Sequence, residues 1–163
     1  MSNVEDRPTR SVEYSKTENV HILKYQDING IGRLFGGTLM SWIDETGGTA
    51  AMRHAGCPVT TAAVDNLQFK HGAKKQDIVV VEAKLTYVGN TSIEVRCDTY
   101  VETLGGMRYH INQAYLTYVA MSENGEPRRV PYALEIKTET EKAEWDGAIK
   151  RKEMWKKRRS EGF

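Results

Sequence analysis

The sequence predicts an α+β fold in which one long helix packs against a five-stranded antiparallel sheet. Apolar residues recur at helical spacing between about residues 37 and 54. From residue 60 to residue 122 the apolar residues instead alternate with polar ones, and turn residues interrupt the alternation. A chain of 163 residues is long enough for one such domain to bury a core. One long helix followed by a run of strands indicates separate helix and sheet layers.

The central helix is predicted from about Gly37 to His54. Its buried stripe consists of residues at helical spacing: Leu39, Trp42, Ile43, Thr46 and Ala50. Gly47 and Gly48 each cost about 1 kcal/mol of helix propensity relative to alanine. We therefore expect sheet backbone or a second helix to approach this glycine pair closely.

One strand is predicted before the helix, within residues 11–26, and residues 1–10 are predicted to be loose. After the helix, four strands are predicted as a meander, over residues 60–69, 77–88, 92–102 and 108–122. The turns between the last three strands are Gly89-Asn90-Thr91 and Gly105-Gly106. Such a sheet can curl around the helix.

Residues 134–163 are predicted to form a charged helical tail beyond a main domain of residues 1–133. Basic residues crowd the end of this tail: Lys150, Arg151, Lys152, Lys156, Lys157, Arg158 and Arg159. They form either a solvated helix face or a contact for a phosphate-rich ligand. Trp145, Met154 and Trp155 indicate that part of the tail docks on the domain.

Charge and composition argue against several kinds of partner. The formal net charge is +1, which gives no overall field for nucleic acid or a membrane surface. No apolar run is long enough for a transmembrane helix, and the first ten residues lack the apolar core of a signal peptide. Cys57 and Cys97 show no zinc-site spacing, so two reduced thiols are expected. We therefore expect a cytoplasmic protein with no metal site and no nucleic-acid or membrane partner.

A loop amide, a pair of glycines and a carboxylate lie in order along the start of the helix: Asn29, Gly36, Gly37 and Asp44. Backbone N–H groups at a helix start can polarise a carbonyl, and a carboxylate with an amide can orient water to attack it. Asp44 lies beside the apolar stripe, which predicts that it is buried. Eight residues of helix rise by about 12 Å, so one small reacting group cannot touch both Gly36 and Asp44 of one chain. Two antiparallel copies related by a twofold axis can complete two identical sites.

The segment from Asn29 to Asp44, N-x-x-G-x-L-F-G-G-x-L-M-x-W-x-D, resembles the hotdog-fold acyl-CoA thioesterases, and within them the cytosolic acyl-CoA hydrolase group. Further matching runs lie at residues 60–65, 88–95 and 117–120. The resemblance extends over roughly residues 15–159. It implies a hotdog fold, in which a curved five-stranded antiparallel sheet wraps around the central helix. It also implies a homodimer, or a trimer of such dimers (a hexamer), and no cofactor, since CoA is part of the substrate.

The same resemblance implies catalytic roles for individual residues. Gly36 or Gly37 would donate its N–H to the thioester oxygen, and Asn29 would hold the water or the carbonyl. Asp44 would act as general base or, as the less favoured alternative, as nucleophile. Thr61 occupies the position of a water-binding hydroxyl.

The resemblance also places CoA and the acyl chain. The turn expected to meet CoA consists of Gly89, Asn90, Thr91 and Ser92. Phe35, with Met40 and Trp42, would line the acyl pocket at the subunit interface. Lys70 is a candidate contact for the CoA phosphates, although the loop from Lys70 to Asp77 departs from the pattern of many relatives and a solvated lysine turn is the alternative.

Two functions fit these residues: an acyl-CoA thioesterase, and a non-catalytic acyl-CoA-binding or sensor module of the same fold. The Asp44 carboxylate favours the thioesterase, since binding of an acyl-CoA without hydrolysis does not need a carboxylate at the reacting group. The chain has no G-x-S-x-G motif, and no histidine lies between Asn29 and Asp44, which disfavours a serine hydrolase and a hotdog dehydratase. The motif encodes neither the acyl chain length nor the choice among dimer, tetramer and hexamer.

Overall fold

The computed structural model describes residues 6–163 and places one long helix against a five-stranded antiparallel sheet. The elements are β1 (Thr9–Ser11), α1 (Val12–Ser15), β2 (Thr17–Ile22), α2 (Gly36–Ala55), β3 (Val59–Phe69), β4 (Ile78–Val88), β5 (Ser92–Glu102), β6 (Arg108–Ala120), β7 (Ala133–Glu135) and α3 (Glu139–Glu161). The predicted α+β class, the central helix and the four strands that follow it are confirmed.

The helix α2 begins and ends within one residue of its predicted bounds and has the predicted buried stripe. Leu39, Ile43 and Ala50 are almost fully buried, and the helix contacts all five strands of the large sheet. Burying a leucine or isoleucine side chain stabilises the fold by about 1.5–3 kcal/mol. The helix ends at Gly56, whose backbone φ of 67° lies in the left-handed region that glycine adopts readily.

The order of strands in the large sheet is β2-β4-β5-β6-β3. The strands β4, β5 and β6 form the predicted meander, but the prediction for β3 was wrong. Instead of lying beside β4, β3 pairs with β6 and forms one edge of the sheet. Alternation of polar and apolar residues identifies a strand and its faces, whereas the neighbour of that strand depends on contacts far along the chain.

The N-terminal segment also differs from its prediction. Residues 11–26 form not one strand but the end of β1, a helical turn, β2 and a short 3-10 helix at Tyr25–Asp27. Residues 1–5 of the stretch expected to be loose lie outside the described residues. Within the remainder, β1 pairs in parallel with β7. The buried Arg7 guanidinium donates hydrogen bonds to the carbonyls of Gly89 (3.1 Å) and Val130 (2.8 Å). A buried cation needs hydrogen-bond acceptors, so these two bonds hold the N-terminal segment against the carbonyls of Gly89 and Val130.

The helix α3 packs across the face of the sheet opposite α2. Thr138 and Glu141 form a capping box at its start. Ala148 is buried, and Arg151 donates a 2.7 Å hydrogen bond to Glu94 on β5. The predicted docking is confirmed for Trp145, whose ring contacts that of Tyr87. It is wrong for Met154, which is exposed because it lies on a different face of the helix from Ala148.

None of the helices within residues 6–163 is long and apolar enough to cross a lipid bilayer.

Candidate active site

Asp44 is the centre of a small hydrogen-bonded cluster between α2 and the edge of the sheet. The Thr61 hydroxyl donates a 2.7 Å hydrogen bond to Oδ1 of Asp44. The hydroxyl of Tyr118 lies 3.2 Å from the same oxygen and 3.0 Å from the Asp44 carbonyl oxygen. Thr61 on β3 and Tyr118 on β6 are directly paired across the two strands. Directly paired residues share one face of a sheet, which explains how both hydroxyls reach Asp44.

A β-bulge lies immediately beyond Thr61. Thr61 pairs with Tyr118 and Ala63 pairs with Thr117, so Ala62 is an extra residue in β3. An extra residue bends the strand locally and changes the direction of neighbouring side chains, and such bulges are frequent next to active sites. Sequence alternation alone gave no sign of it, because the two alanines do not distinguish an inward from an outward position.

The expectation that Asp44 is buried was wrong for the single chain, since both Asp44 and Thr61 are exposed. Large apolar side chains are exposed as well: Phe35 and Phe69, both 55% exposed, lie at the start of α2, Met52 (45%) lies further along α2 than Asp44, and Val64 (40%) follows Thr61 on β3. Exposed apolar surface of this kind is typical of a surface that another molecule covers. Trp42, expected to line the acyl pocket, instead lies in the chain's own core with its ring stacked on that of His21.

The start of α2 has free backbone donors. Its capping residue, Phe35, has no oxygen in its side chain with which to bind them. The N–H groups of Gly36, Gly37 and Thr38 find no acceptor among residues 6–163. A helix start also carries a partial positive charge, and together these features favour binding of a negatively charged oxygen.

The two glycines at this helix start have different surroundings. A Cβ atom at Gly37 would lie 2.7 Å from the ring of Phe35, too close for a side chain. A Cβ atom at Gly36 would lie 3.6 Å from the ring of Phe69, an ordinary contact. The two phenylalanines therefore flank the free donors, and Gly37 leaves room for the ring of Phe35.

Asn29 lies in the loop before α2 and forms a turn with its own neighbours. Its Oδ1 accepts hydrogen bonds from the N–H groups of Ile31 (3.1 Å) and Arg33 (3.2 Å). Within residues 6–163, the side-chain nitrogen of Asn29 has no acceptor and none of the hydrogen bonds of Asp44 involves Asn29. The structure therefore leaves the amide N–H₂ group free to donate but does not join Asn29 to Asp44 within one chain.

The predicted CoA-binding turn is the tip of the β4–β5 hairpin. The Gly89 N–H donates to the Ser92 carbonyl, and the Asn90 carbonyl accepts from Val130. A groove of about 160 Å³ lies beside the turn, between α3 and the sheet. Side chains from both contribute to its walls, among them Tyr87, Ser92, Ala148, Lys152 and Trp155. The turn is thus held by backbone hydrogen bonds and adjoins a cleft.

Lys70 is exposed and lies far from this turn in the same chain. Its N–H binds the carbonyl of Ile111, whereas Ser92 pairs with Val119. Eight residues of strand separate the two positions along β6, a distance of about 27 Å. The structure does not bring Lys70 and the Gly89–Ser92 turn together within one chain.

Comparisons with known proteins identify the family of this chain. Residues 31–107 match the thioesterase superfamily. YkhA of Bacillus subtilis, an uncharacterized acyl-CoA thioester hydrolase by name, is 36% identical over 132 residues, which cover 80% of this chain and 75% of YkhA. The chain belongs to the acyl-CoA thioester hydrolase family.

Solved structures of family members share the fold. An acyl-CoA hydrolase from Staphylococcus aureus in complex with butyryl coenzyme A, coenzyme A and coenzyme A disulfide is 35% identical, with a TM-score of 0.88 over 95% of this chain and 94% of that one. A hexameric acyl-CoA thioesterase without ligand is 37% identical, with a TM-score of 0.88 over 93% of this chain and 97% of that one. The hotdog fold is therefore confirmed.

The mammalian relatives are longer proteins. The mouse cytosolic acyl coenzyme A thioester hydrolase is 30% identical over 140 residues, which cover 83% of this chain. The chain spans only 36% of the length of that protein.

The sequence prediction missed one contact of the candidate site. Tyr118 lies in an alternating strand, and its position there predicts only a core residue. The signal available in the sequence was the glycine pair in α2. In the structure, a Cβ atom at Gly47 would lie 2.5 Å from the Tyr118 hydroxyl oxygen. The close approach predicted at these glycines is therefore real, but a tyrosine side chain makes it rather than backbone.

Proposed function

We propose that this chain is an acyl-CoA thioesterase, which hydrolyses an acyl-CoA to free CoA and a carboxylic acid. The observation that carries the proposal is the carboxylate of Asp44. Its Oδ1 is bound by Thr61, and none of the described residues donates a hydrogen bond to its Oδ2. An exposed carboxylate with one fixed and one free oxygen suits the removal of a proton from water. The names and ligands of the relatives support CoA thioesters as the substrate class.

In the proposed mechanism, Asp44 accepts a proton from a water molecule as the water oxygen attacks the thioester carbonyl carbon. The N–H groups of Gly36 and Gly37 stabilise the oxyanion, and the side-chain nitrogen of Asn29 holds the water or the carbonyl. The C–S bond then breaks, and the CoA sulfur takes the proton that Asp44 had accepted from water, which restores the carboxylate. General base catalysis contributes about 10²–10⁴-fold, and one oxyanion donor about 10²–10³-fold. Attack by Asp44 itself is the less favoured route.

The site is proposed to form between two chains. The rise from Gly36 to Asp44 is about 12 Å, so the helix start of one chain must meet Asp44 of another. The exposed apolar side chains at the start of α2 and beyond Thr61 on β3 support a partner surface there. A twofold homodimer completes two such sites. Assembly as a trimer of dimers, a hexamer, is proposed because a relative of 37% identity is hexameric.

Substrate contacts outside the reacting centre also belong to the proposal. Gly89, Asn90, Thr91 and Ser92 contact CoA at the hairpin tip, and Lys70 forms a separate contact with its phosphates. Phe35 lines the acyl pocket. The reaction as written uses water and needs neither a metal nor an organic cofactor. A cytoplasmic location is proposed from the mammalian relative named cytosolic.

A non-catalytic acyl-CoA sensor is the second candidate, and release of free thiol separates the two. The purified chain is mixed with short, long and aromatic acyl-CoAs, and CoA release is followed with a thiol reagent while binding is measured by calorimetry. We expect catalytic release from at least one class. Saturable binding with no release from any of them would support the sensor instead.

A further inference from the structure

We propose that Tyr118 is a positioning residue for Asp44, and that Gly47 is present to make room for its hydroxyl. This inference rests on the proposed function, because it assigns a role in the use of Asp44 as a base. It adds a residue on β6 to a site otherwise built from α2, β3 and the loop before α2.

The hydroxyl of Tyr118 can act only as a donor in this place. Both of its neighbours on Asp44, the backbone carbonyl oxygen at 3.0 Å and Oδ1 at 3.2 Å, are acceptors. Burial raises the pKa of Tyr118 well above its usual value, and the nearby Cys97 and Asp44 raise it further. The phenol therefore keeps its proton at any pH at which the protein works, and this proton is aimed at Asp44.

Two donors then converge on one oxygen of the carboxylate. Thr61 donates to Oδ1 at 2.7 Å, and the single phenol proton of Tyr118 is shared between Oδ1 at 3.2 Å and the Asp44 carbonyl oxygen at 3.0 Å. Since Tyr118 also contacts the Asp44 backbone, it fixes the side chain relative to the helix that carries it. With Oδ1 held in this way, Oδ2 is the oxygen that accepts the proton of the water. Tyr118 is only 1% exposed, so it cannot swing away as a surface side chain would.

The Tyr118 hydroxyl is packed tightly against Gly47 of α2. A Cβ atom at Gly47 would lie 2.5 Å from the Tyr118 hydroxyl oxygen and 3.2 Å from Sγ of Cys97. A Cβ atom at Gly48, the next residue, would lie 3.6 Å from the Tyr118 ring, which is ordinary contact. The Cys97 thiol stays neutral, since burial raises its pKa far above the usual value. Alanine at 47 must therefore displace the hydroxyl, whereas alanine at 48 need not.

This difference supplies a matched pair of variants. Gly47→Ala and Gly48→Ala make the same chemical change in the same helix and gain the same helix propensity, yet only the first displaces the hydroxyl. Tyr118→Phe removes the hydroxyl oxygen and keeps the ring. We expect Tyr118→Phe and Gly47→Ala each to lower kcat by about tenfold, equivalent to the loss of one net hydrogen bond. We expect Gly48→Ala to match the wild type.

A merely structural role of the hydroxyl would not move the pH profile, so that profile is the deciding measurement. A carboxylate that loses a donor takes up a proton more readily, so the acidic limb of kcat should shift to higher pH by about one unit in Tyr118→Phe. KM should change little, because Tyr118 is not proposed to touch the substrate. Melting temperature and oligomeric state are recorded for every variant to establish folding.

The outcomes are distinct. An unmoved acidic limb with wild-type kcat in folded Tyr118→Phe would overturn the role of Tyr118. Equal effects of Gly47→Ala and Gly48→Ala would overturn the role of Gly47. Wild-type turnover in Asp44→Ala would instead remove Asp44 from the mechanism, which is a failure of the proposed function and is measured in parallel. If Tyr118→Phe does not fold, Gly47→Ala with the tyrosine intact carries the same test.

Discussion

Thr61 and Asp44 are joined by a 2.7 Å hydrogen bond that links the edge strand β3 to the middle of α2. The two residues are seventeen positions apart, and both are exposed in the single chain. The bond is therefore not a core contact on which folding depends. It orients a carboxylate at the surface of the single chain, and the following predictions test the role proposed for that carboxylate.

Asp44→Ala should lower kcat by about 10²–10⁴-fold, because the variant lacks the proposed general base. Melting temperature and oligomeric state should stay close to those of the wild type, since the side chain is exposed. Glu45→Ala is the matched control, as Glu45 is the next residue in the helix and is also exposed. Steady-state hydrolysis of the best acyl-CoA, with thermal unfolding of each variant, provides the measurement.

Mixed dimers test whether the site is shared between chains. An Asn29→Ala chain and an Asp44→Ala chain are each expected to be inactive as homo-oligomers. Each proposed site combines Asn29 of one chain with Asp44 of the other. In a mixed dimer both substitutions therefore fall in the same site, and the second site keeps both native residues, so about one intact site should be regained. Differently tagged chains are unfolded, refolded together and purified through both tags. Absence of activity in mixed dimers proven by mass spectrometry would contradict a shared site.

The two glycines at the start of α2 should respond differently to alanine. Gly37→Ala places a Cβ atom 2.7 Å from the half-exposed ring of Phe35, and turning that ring off its rotamer should destabilise the fold by about 0.5–1.5 kcal/mol. Gly36→Ala makes only an ordinary contact with Phe69 and should be the more stable of the two. Chemical denaturation of both variants measures the difference. Equal free energies of unfolding would show that the ring of Phe35 moves aside freely.

Stability should fall as the pH decreases below about 6.5, in part because of His54. This buried histidine has a lowered pKa, chiefly from burial and also from Arg10 and Arg7, although its hydrogen bond to the Tyr132 carbonyl acts in the opposite direction. The unfolded chain therefore binds the proton more readily, so this contribution is fully present above the unfolded pKa and is lost as the pH falls towards the folded one.

His54→Gln should flatten that dependence, although it lowers stability overall. One such group contributes at most about 1.4 kcal/mol per pH unit. Urea unfolding between pH 5 and pH 7 measures the slope, and His71→Gln, at an exposed histidine, is the control. If the free energy of unfolding of His54→Gln depends on pH as steeply as that of the wild type, the assignment to His54 is wrong.

The sequence by itself determined the elements and the order of the reactive groups. The elements are marked by local signals, which can be recognised in the sequence without knowledge of the fold. These signals are the period of 3.6 in α2, the alternation in β4 and β5, and the glycine turns. The distance between Gly36 and Asp44 followed from helix geometry alone. The segment from Asn29 to Asp44 resembles the hotdog thioesterases closely enough to indicate the fold from sequence alone.

Tertiary structure alone decided which residues meet. The edge position of β3, the parallel pairing of β1 with β7 and the burial of Arg7 all join positions far apart in the chain. Tyr118 reaches Asp44 because β6 happens to lie beside β3, in a register that sets Tyr118 opposite Thr61. Side-chain periodicity records the face that a residue occupies. The neighbour across the sheet is instead selected by the packing of the whole chain. Tyr118, the second donor to the Asp44 carboxylate, is such a neighbour, so its contact could not be predicted from periodicity.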